Sequence, residues 1–202
     1  MRAATRSGAW LVGTLIAVQA GSWIAGPADA QTLRLPAGTK EVSLAGAYSV
    51  SHKTVGGDDV ETVNGFHLIP HFGYVLVDRS ERIPGSLEIL AEPTLIYLDA
   101  TESSTLAGLS GMLRWLFTGW PAMYPFVEGG AGIVGGDANL RQTNCDLNYI
   151  VQGGVGGLVP LSERTAVTLG YRFQHLSNGD RCSNNLGLNS SVVHVGFSYF
   201  FP

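Results

Sequence analysis

From about residue 41 onward, hydrophobic and polar positions alternate with a period of two, in eight runs at 41–52, 62–77, 86–99, 105–117, 122–134, 147–159, 165–177 and 189–201. Clusters of Gly, Pro, Asp, Asn or Ser separate the runs, and no 3.6-residue period competes over a comparable length, so each run predicts a β-strand. One face of the early runs carries the bulk: Val42, Leu44, Tyr48 and Val50; Phe66, Leu68, Phe72, Tyr74 and Leu76; Leu87, Ile89, Leu95 and Tyr97; Leu109, Leu113, Trp115 and Phe117. The other face carries small or ionisable residues, among them Ser43, Ala45, His67, His71, Glu88, Glu92, Ser110 and Arg114. The fifth run is less clean, with Val127, Ala131 and Ile133 opposite Glu128. A soluble sandwich alternates as well, but it buries its bulky face, whereas a small or ionisable opposite face suits the inside of a closed cylinder. Each run is long enough for a membrane strand, which needs about 9–11 residues. The even count predicts an all-β fold, an eight-stranded antiparallel up-and-down transmembrane β-barrel.

A barrel of about eight strands has an interior just wide enough to be filled by side chains. Glu88, Glu92, Glu128, Arg114, Arg172, Gln152, Gln174, His67, His71 and His194 are the expected filling. Buried charges have to be paired, and this set pairs, so it reads as a structural plug and not a pore. His67 and His71 share a face, but with no third ligand nearby in sequence they read as interior histidines and not as a metal site. Gly130-Ala131-Gly132-Ile133-Val134-Gly135 has the spacing of a dinucleotide fingerprint without the βαβ context that gives it meaning. It reads as a strand whose glycines make room for bulky interior neighbours.

Composition sharpens the picture in three ways. The first thirty residues have the form of an export signal, with Arg2 and Arg6, an apolar run from about Ala9 to Ile24, and Ala28-Asp29-Ala30 as a small-x-small cleavage site. The expected division is 1–30 as cleaved signal and 31–202 as barrel, placed in the outer membrane of a Gram-negative cell. Removing Arg2, Arg6 and Asp29 takes 12 basic and 16 acidic residues to 10 and 15, so the net charge moves from -4 to about -5 and nucleic acid is excluded as a partner. With both termini periplasmic, the connections 52–61, 100–104, 135–146 and 178–188 fall outside, and 78–85, 118–121 and 160–164 inside. This is the usual asymmetry of long external loops and short inner turns. Cys145 and Cys182 then lie in the third and fourth external loops of an exported chain, where a disulfide is permitted. Trp115, Phe117, Trp120, Tyr199 and Phe201 collect at the inner rim as an aromatic girdle.

The candidate chemistry sits in the last hairpin. Val167, Leu169, Tyr171, Phe173, His175 and Ser177 share one face of the seventh run, and Asn189, Val193, Val195, Phe197, Tyr199 and Phe201 one face of the eighth. His175 and Ser177 are two residues apart, which on a strand means one face and about 7 Å between Cα atoms. Pairing of the two runs brings Asn189 beside them. A hydroxyl, an imidazole and an orienting carboxamide then share one patch on the lipid-facing wall at its external end. Polar side chains at membrane depth are expensive and mark function, and this constellation suits nucleophilic acyl transfer.

Phe173-Gln174-His175-Leu176-Ser177-Asn178, followed by Asn185-Leu186-Gly187-Leu188-Asn189-Ser190, resembles the signature of the outer-membrane lipid A 3-O-deacylases of the PagL type. The motif spans about twenty residues, and the signal, strand count and length agree around it. The resemblance implies an eight-stranded barrel that hydrolyses the ester-linked acyl chain at the 3-position of lipid A in the outer leaflet. It further implies Ser177 as nucleophile, His175 as general base and Asn178 as a contributor to the oxyanion hole. The family's orienting acid falls at Asn189, where this chain has a carboxamide. An asparagine fixes one imidazole tautomer by hydrogen bond but carries no charge to stabilise imidazolium. Asp180, the nearest carboxylate, stands in the loop beside the nucleophile and is not assigned that role. The resemblance implies lipopolysaccharide and outer-membrane lipids as partners and no cofactor or metal, and it leaves a homodimer open. Two other readings stand beside it: a non-catalytic structural or adhesion barrel, and an outer-membrane phospholipase.

Overall fold

The computed structural model describes residues 32–202 except 53–61, 79–84, 121, 139 and 141. The export signal expected at 1–30 lies outside the described residues. The strands are β1 (Lys40–His52), β2 (Asn64–Val77), β3 (Ser86–Asp99), β4 (Ser104–Leu116), β5 (Tyr124–Gly136), β6 (Leu147–Pro160), β7 (Thr165–Ser177) and β8 (Leu188–Phe201). Each pairs antiparallel with its sequence neighbours, and β1 pairs with β8, so the sheet closes on itself as an eight-stranded barrel. Closure removes every sheet edge and satisfies the strand backbone internally, the condition for crossing lipid with strands.

The alternation read from the sequence sets the two faces. Leu44, Phe66, Phe72, Leu113, Val155 and Val193 are all exposed on the outer wall, where in a membrane they meet acyl chains. Every side chain expected to fill the barrel, Glu88, Glu92, Glu128, Arg114, Arg172, Gln152, Gln174, His67, His71 and His194, is buried inside it.

The interior is layered, and here the structure corrects the expectation of a uniformly small or ionisable lining. Its two ends are apolar. Ile96, Leu98, Leu106, Val134, Ile150, Leu176 and Leu188 form one cluster, near the ends of the strands at the loop side. Val75, Leu116, Tyr124, Phe126, Leu158 and Phe200 form the other at the end that holds the termini, completed by Leu33 and Leu35 from the segment before β1. Between them lies the charged belt. Arg172 grips Glu92 with two parallel bonds, Nη1 to Oε2 and Nη2 to Oε1, each 2.7 Å, and its Nε donates to Glu128 Oε1 at 2.6 Å. Glu128 also accepts from Arg114 Nε at 3.2 Å, so one carboxylate joins both guanidinium groups. Arg114 Nη1 reaches Glu41 Oε2 at 3.2 Å and Glu88 Oε2 at 3.4 Å, and its guanidinium lies 4.8 Å from the Phe126 ring centroid. Glu41 is thus a fourth interior carboxylate that the sequence reading missed, because it opens the first run. His67 Nε2 bonds Ser49 Oγ at 2.9 Å. These groups fill the middle of the interior, and each guanidinium has more than one carboxylate within reach.

Some glycines of β5 and β6 do what the sequence suggests, while a Cβ on Gly129 or Gly153 would crowd no side chain. A Cβ on Gly154 would stand 2.9 Å from Arg172 Cγ, so the glycine gives that long interior side chain its room.

Candidate active site on the outer wall

In the β7–β8 register His175 is the direct partner of Asn189, and Phe173 of Ser191. The two strands are consecutive and their pleat puts both residues on the outer face, so the pairing does what the hairpin argument required. His175 Nδ1 and Asn189 Oδ1 are 2.7 Å apart. An amide oxygen only accepts, so the ring proton sits on Nδ1 and Nε2 keeps its lone pair, the tautomer a general base needs. Ser177 follows two residues on along the same face, with its Cα about 7 Å away, and pairs with Tyr149 of β6. His175, Ser177 and Asn189 are all partly exposed on the outer wall. The structure therefore joins His175 to Asn189 and sets Ser177 beside them, while the described contacts include no bond between the Ser177 hydroxyl and the ring.

Level with the patch Val151 pairs with His175, and below it, toward the middle of the wall, Phe173, Val155, Leu169 and Val195 follow, all exposed and apolar. They form an apolar surface next to the polar patch.

The loop above the patch is held by its own polar groups. Asn178, expected as an oxyanion donor, is turned into the barrel and fully buried. Its Nδ2 donates to Asn184 O at 2.6 Å and Thr143 Oγ1 at 3.3 Å, and its backbone N–H donates to Asn185 Oδ1 at 2.9 Å. All three hydrogens serve the loop, so a role at an oxyanion requires one of these bonds to be exchanged. Asp180, at φ +61°, accepts from Asn185 Nδ2 at 2.8 Å and so fixes the residue that caps Asn178. Its place is in the loop scaffold and not beside the histidine. The neighbouring loop is sewn on by the Cys145–Cys182 disulfide, with Cα atoms 5.8 Å apart, and by Leu186 N–H donating to Gln142 O at 3.0 Å.

Gly187 stands in the sequence motif without a role assigned to it, and the structure gives it one. Its φ is +71°, and a Cβ there would stand 2.7 Å from His175 Cε1. The loop thus packs its backbone against the imidazole edge, which only glycine permits at this φ. Replacing Gly187 with Ala is expected to displace the ring and lower turnover by about 10²-fold, the usual penalty for a 1 Å misplacement. Steady-state kinetics on a variant with unchanged heat-dependent gel mobility checks this.

A family model described as "Lipid A 3-O-deacylase (PagL)" matches residues 38–198, well over half of the chain. The chain belongs to this family. Membership in the PagL family agrees with the solved structures the fold resembles. The crystal structure of the outer membrane enzyme PagL superposes with a TM-score of 0.56 at 17% identity, covering 77% of this chain and 97% of that one. Neisserial surface protein A gives a TM-score of 0.56 at 12% identity, covering 81% and 99%. OprG from Pseudomonas aeruginosa gives 0.50 at 14%, covering 82% and 97%. A search of curated proteins finds no match. At these identities the structural likenesses speak for the fold, that of an outer-membrane β-barrel, and the motif around His175 and Ser177 falls inside the matched segment of the PagL family.

Proposed function

We propose that this barrel is a lipid A deacylase, a serine esterase that hydrolyses the acyl chain ester-linked at the 3-position of lipid A in the outer leaflet. The observation that carries the proposal is the 2.7 Å bond from His175 to Asn189 on the lipid-facing wall, two residues from a serine, in a member of the PagL family. In this reading Ser177 Oγ attacks the ester carbonyl of a chain lying along Phe173 and Val151, and His175 Nε2 takes the hydroxyl proton. The tetrahedral intermediate collapses with His175 returning that proton to the departing sugar oxygen. Water, deprotonated by the same nitrogen, then releases the fatty acid from Ser177. Developing negative charge on the carbonyl oxygen calls for N–H donors. Asn178 is the family's donor, and it serves here by giving up one of its loop bonds. Both termini stand at one end of the barrel, and with that end periplasmic, as the short turns on that side suggest, the patch lies at the outer leaflet.

Asn189 holds the tautomer without supplying charge. Substitution Asn189→Asp keeps the length and adds a carboxylate against the imidazolium that forms during turnover. Two unit charges 4 Å apart at an effective dielectric of 20 interact by about 4 kcal/mol, and partial exposure reduces this. A rise in kcat of about 10- to 100-fold is expected, measured with lipid A in detergent micelles. A fall in kcat would show that the carboxamide does more than orient the ring.

The proposal is tested by offering purified, folded barrel lipid A and phospholipid side by side and identifying the released acid and the position it leaves. Loss of the 3-linked chain from lipid A is expected. Release from phospholipid alone would make the protein a phospholipase, and no release from either would make it a non-catalytic barrel.

A further inference from the structure

One group of polar side chains on the outer wall is not used by the reaction above. Ser191 Oγ stands 2.8 Å from His52 Nε2 and 2.8 Å from Tyr171 Oη. The His52 ring lies nearly parallel to that of Phe173, with centroids 6.2 Å apart and 11° between planes. The register explains the meeting. Asn189 pairs with His175 on one side and His52 on the other, and one rung deeper Ser191 pairs with Phe173 and with Val50. His52 therefore leans across β8 from β1, and Tyr171 reaches up from β7. Together they form a hydrogen-bonded bar beneath Asn189 on the side facing lipid.

Proton counting decides what the bar offers. A neutral imidazole, a serine and a tyrosine carry one N–H or O–H hydrogen each, three in all, and one acceptor or more each. Two bonds within the bar consume two hydrogens. If the bonds run from tyrosine to serine to histidine, the spare hydrogen is His52 Nδ1–H; if they run the other way, it is the Tyr171 O–H; if both neighbours donate to Ser191 Oγ, it is the Ser191 O–H. Among the described residues none of the three groups has a further hydrogen-bond partner, and both His52 and Tyr171 are exposed. A spare donor facing hydrocarbon is costly, and an oxygen acceptor carried by the lipid removes that cost.

We propose that the His52–Ser191–Tyr171 bar is a binding subsite for an acceptor oxygen borne on a lipid acyl chain, a hydroxyl or carbonyl one rung below the reacting ester. The subsite selects among acylated lipids by that oxygen. It deepens the deacylase reading, since it names which substrates the same patch prefers, and it rests on that reading only for its effect on turnover. Its effect on binding is separate.

The test uses full-length Ser177→Ala barrel in detergent micelles, in which hydrolysis plays no part. The probes are acyl glucosamine esters of one chain length, either plain or carrying one hydroxyl at successive carbons, and binding is read by quenching of intrinsic fluorescence. At one or more positions the hydroxyl is expected to tighten binding by about 3- to 10-fold, the worth of one hydrogen bond. That gain should vanish in the Ser177→Ala barrel carrying Ser191→Ala or Tyr171→Phe, with plain-chain binding unchanged. His52→Phe, which keeps a ring against Phe173, should lose the gain likewise. No preference for any hydroxylated probe, or equal weakening of plain and hydroxylated probes in the variants, overturns the subsite. Failure of the wild-type barrel to hydrolyse lipid A would instead overturn the deacylase reading and leave this binding result standing.

Discussion

Ser177→Ala is expected to lower deacylation of lipid A by at least about 10³-fold and up to about 10⁶-fold, while leaving the barrel folded. The range follows from what removal of a serine nucleophile costs when the base and binding groups remain. Stability should not move, because Ser177 lies at the outer end of β7 on the lipid-facing wall and no interior contact depends on it. His175→Ala should cost about as much as Ser177→Ala, and the double variant no more than either alone, since the two act as one unit. Initial rates of fatty-acid release at saturating lipid A, beside the heat-dependent gel shift of the folded barrel, separate lost chemistry from lost fold. A Ser177→Ala rate within tenfold of wild type would mean that another group attacks the ester.

The largest effect on stability is expected from Arg172→Ala. Arg172 is buried and makes three charge-assisted bonds, two to Glu92 and one to Glu128. Removing it leaves Glu92 without the cation that both of its oxygens bind, and Glu128 with Arg114 alone. Breaking one side of a buried ion pair costs about 3–5 kcal/mol, because the partner charge stays behind without compensation. The loss should appear as a lower urea midpoint for unfolding in micelles. Replacing Arg172 and Glu92 together with apolar residues of similar volume should recover much of it, since a matched deletion leaves fewer orphaned charges. Equal destabilisation by single and double changes would show that the belt is not held by that pair.

These two residues also illustrate how far the sequence carried. Strand number, strand limits to within a few residues, the lipid-facing positions and the buried set from His67 to His194 follow from a two-residue period, because closure forces alternate side chains to opposite faces. Pairing of His175 with Asn189 was legible because the last two runs are consecutive, so they pair as neighbours, and parity puts both residues on the outer face. What escaped were features that depend on three or more strands at once. Glu41 lies far in sequence from Arg114, and only closure of β1 onto its neighbours brings them together. The apolar layers at both ends of the interior were hidden by the same fact, as Ile96 and Leu98 interleave with Leu95 and Tyr97 and blur the alternation. His52 and Ser191 meet across the β1–β8 seam, which no local pattern marks. The commitment of all three Asn178 hydrogens to the loop arises from a loop-to-loop arrangement that Thr143, Asn184 and Asn185 build.

Mass spectrometry of lipid A from Gram-negative cells producing the folded barrel in their outer membrane bears most directly on whether the patch at His175, Ser177 and Asn189 cuts an acyl ester. Wild-type protein should shift lipid A down by the mass of one ester-linked acyl chain, lost from the 3-position, and the Ser177→Ala barrel should leave the spectrum as it is in cells without the protein. An unchanged spectrum with the wild-type barrel present and folded, or the same shift from both proteins, would contradict it.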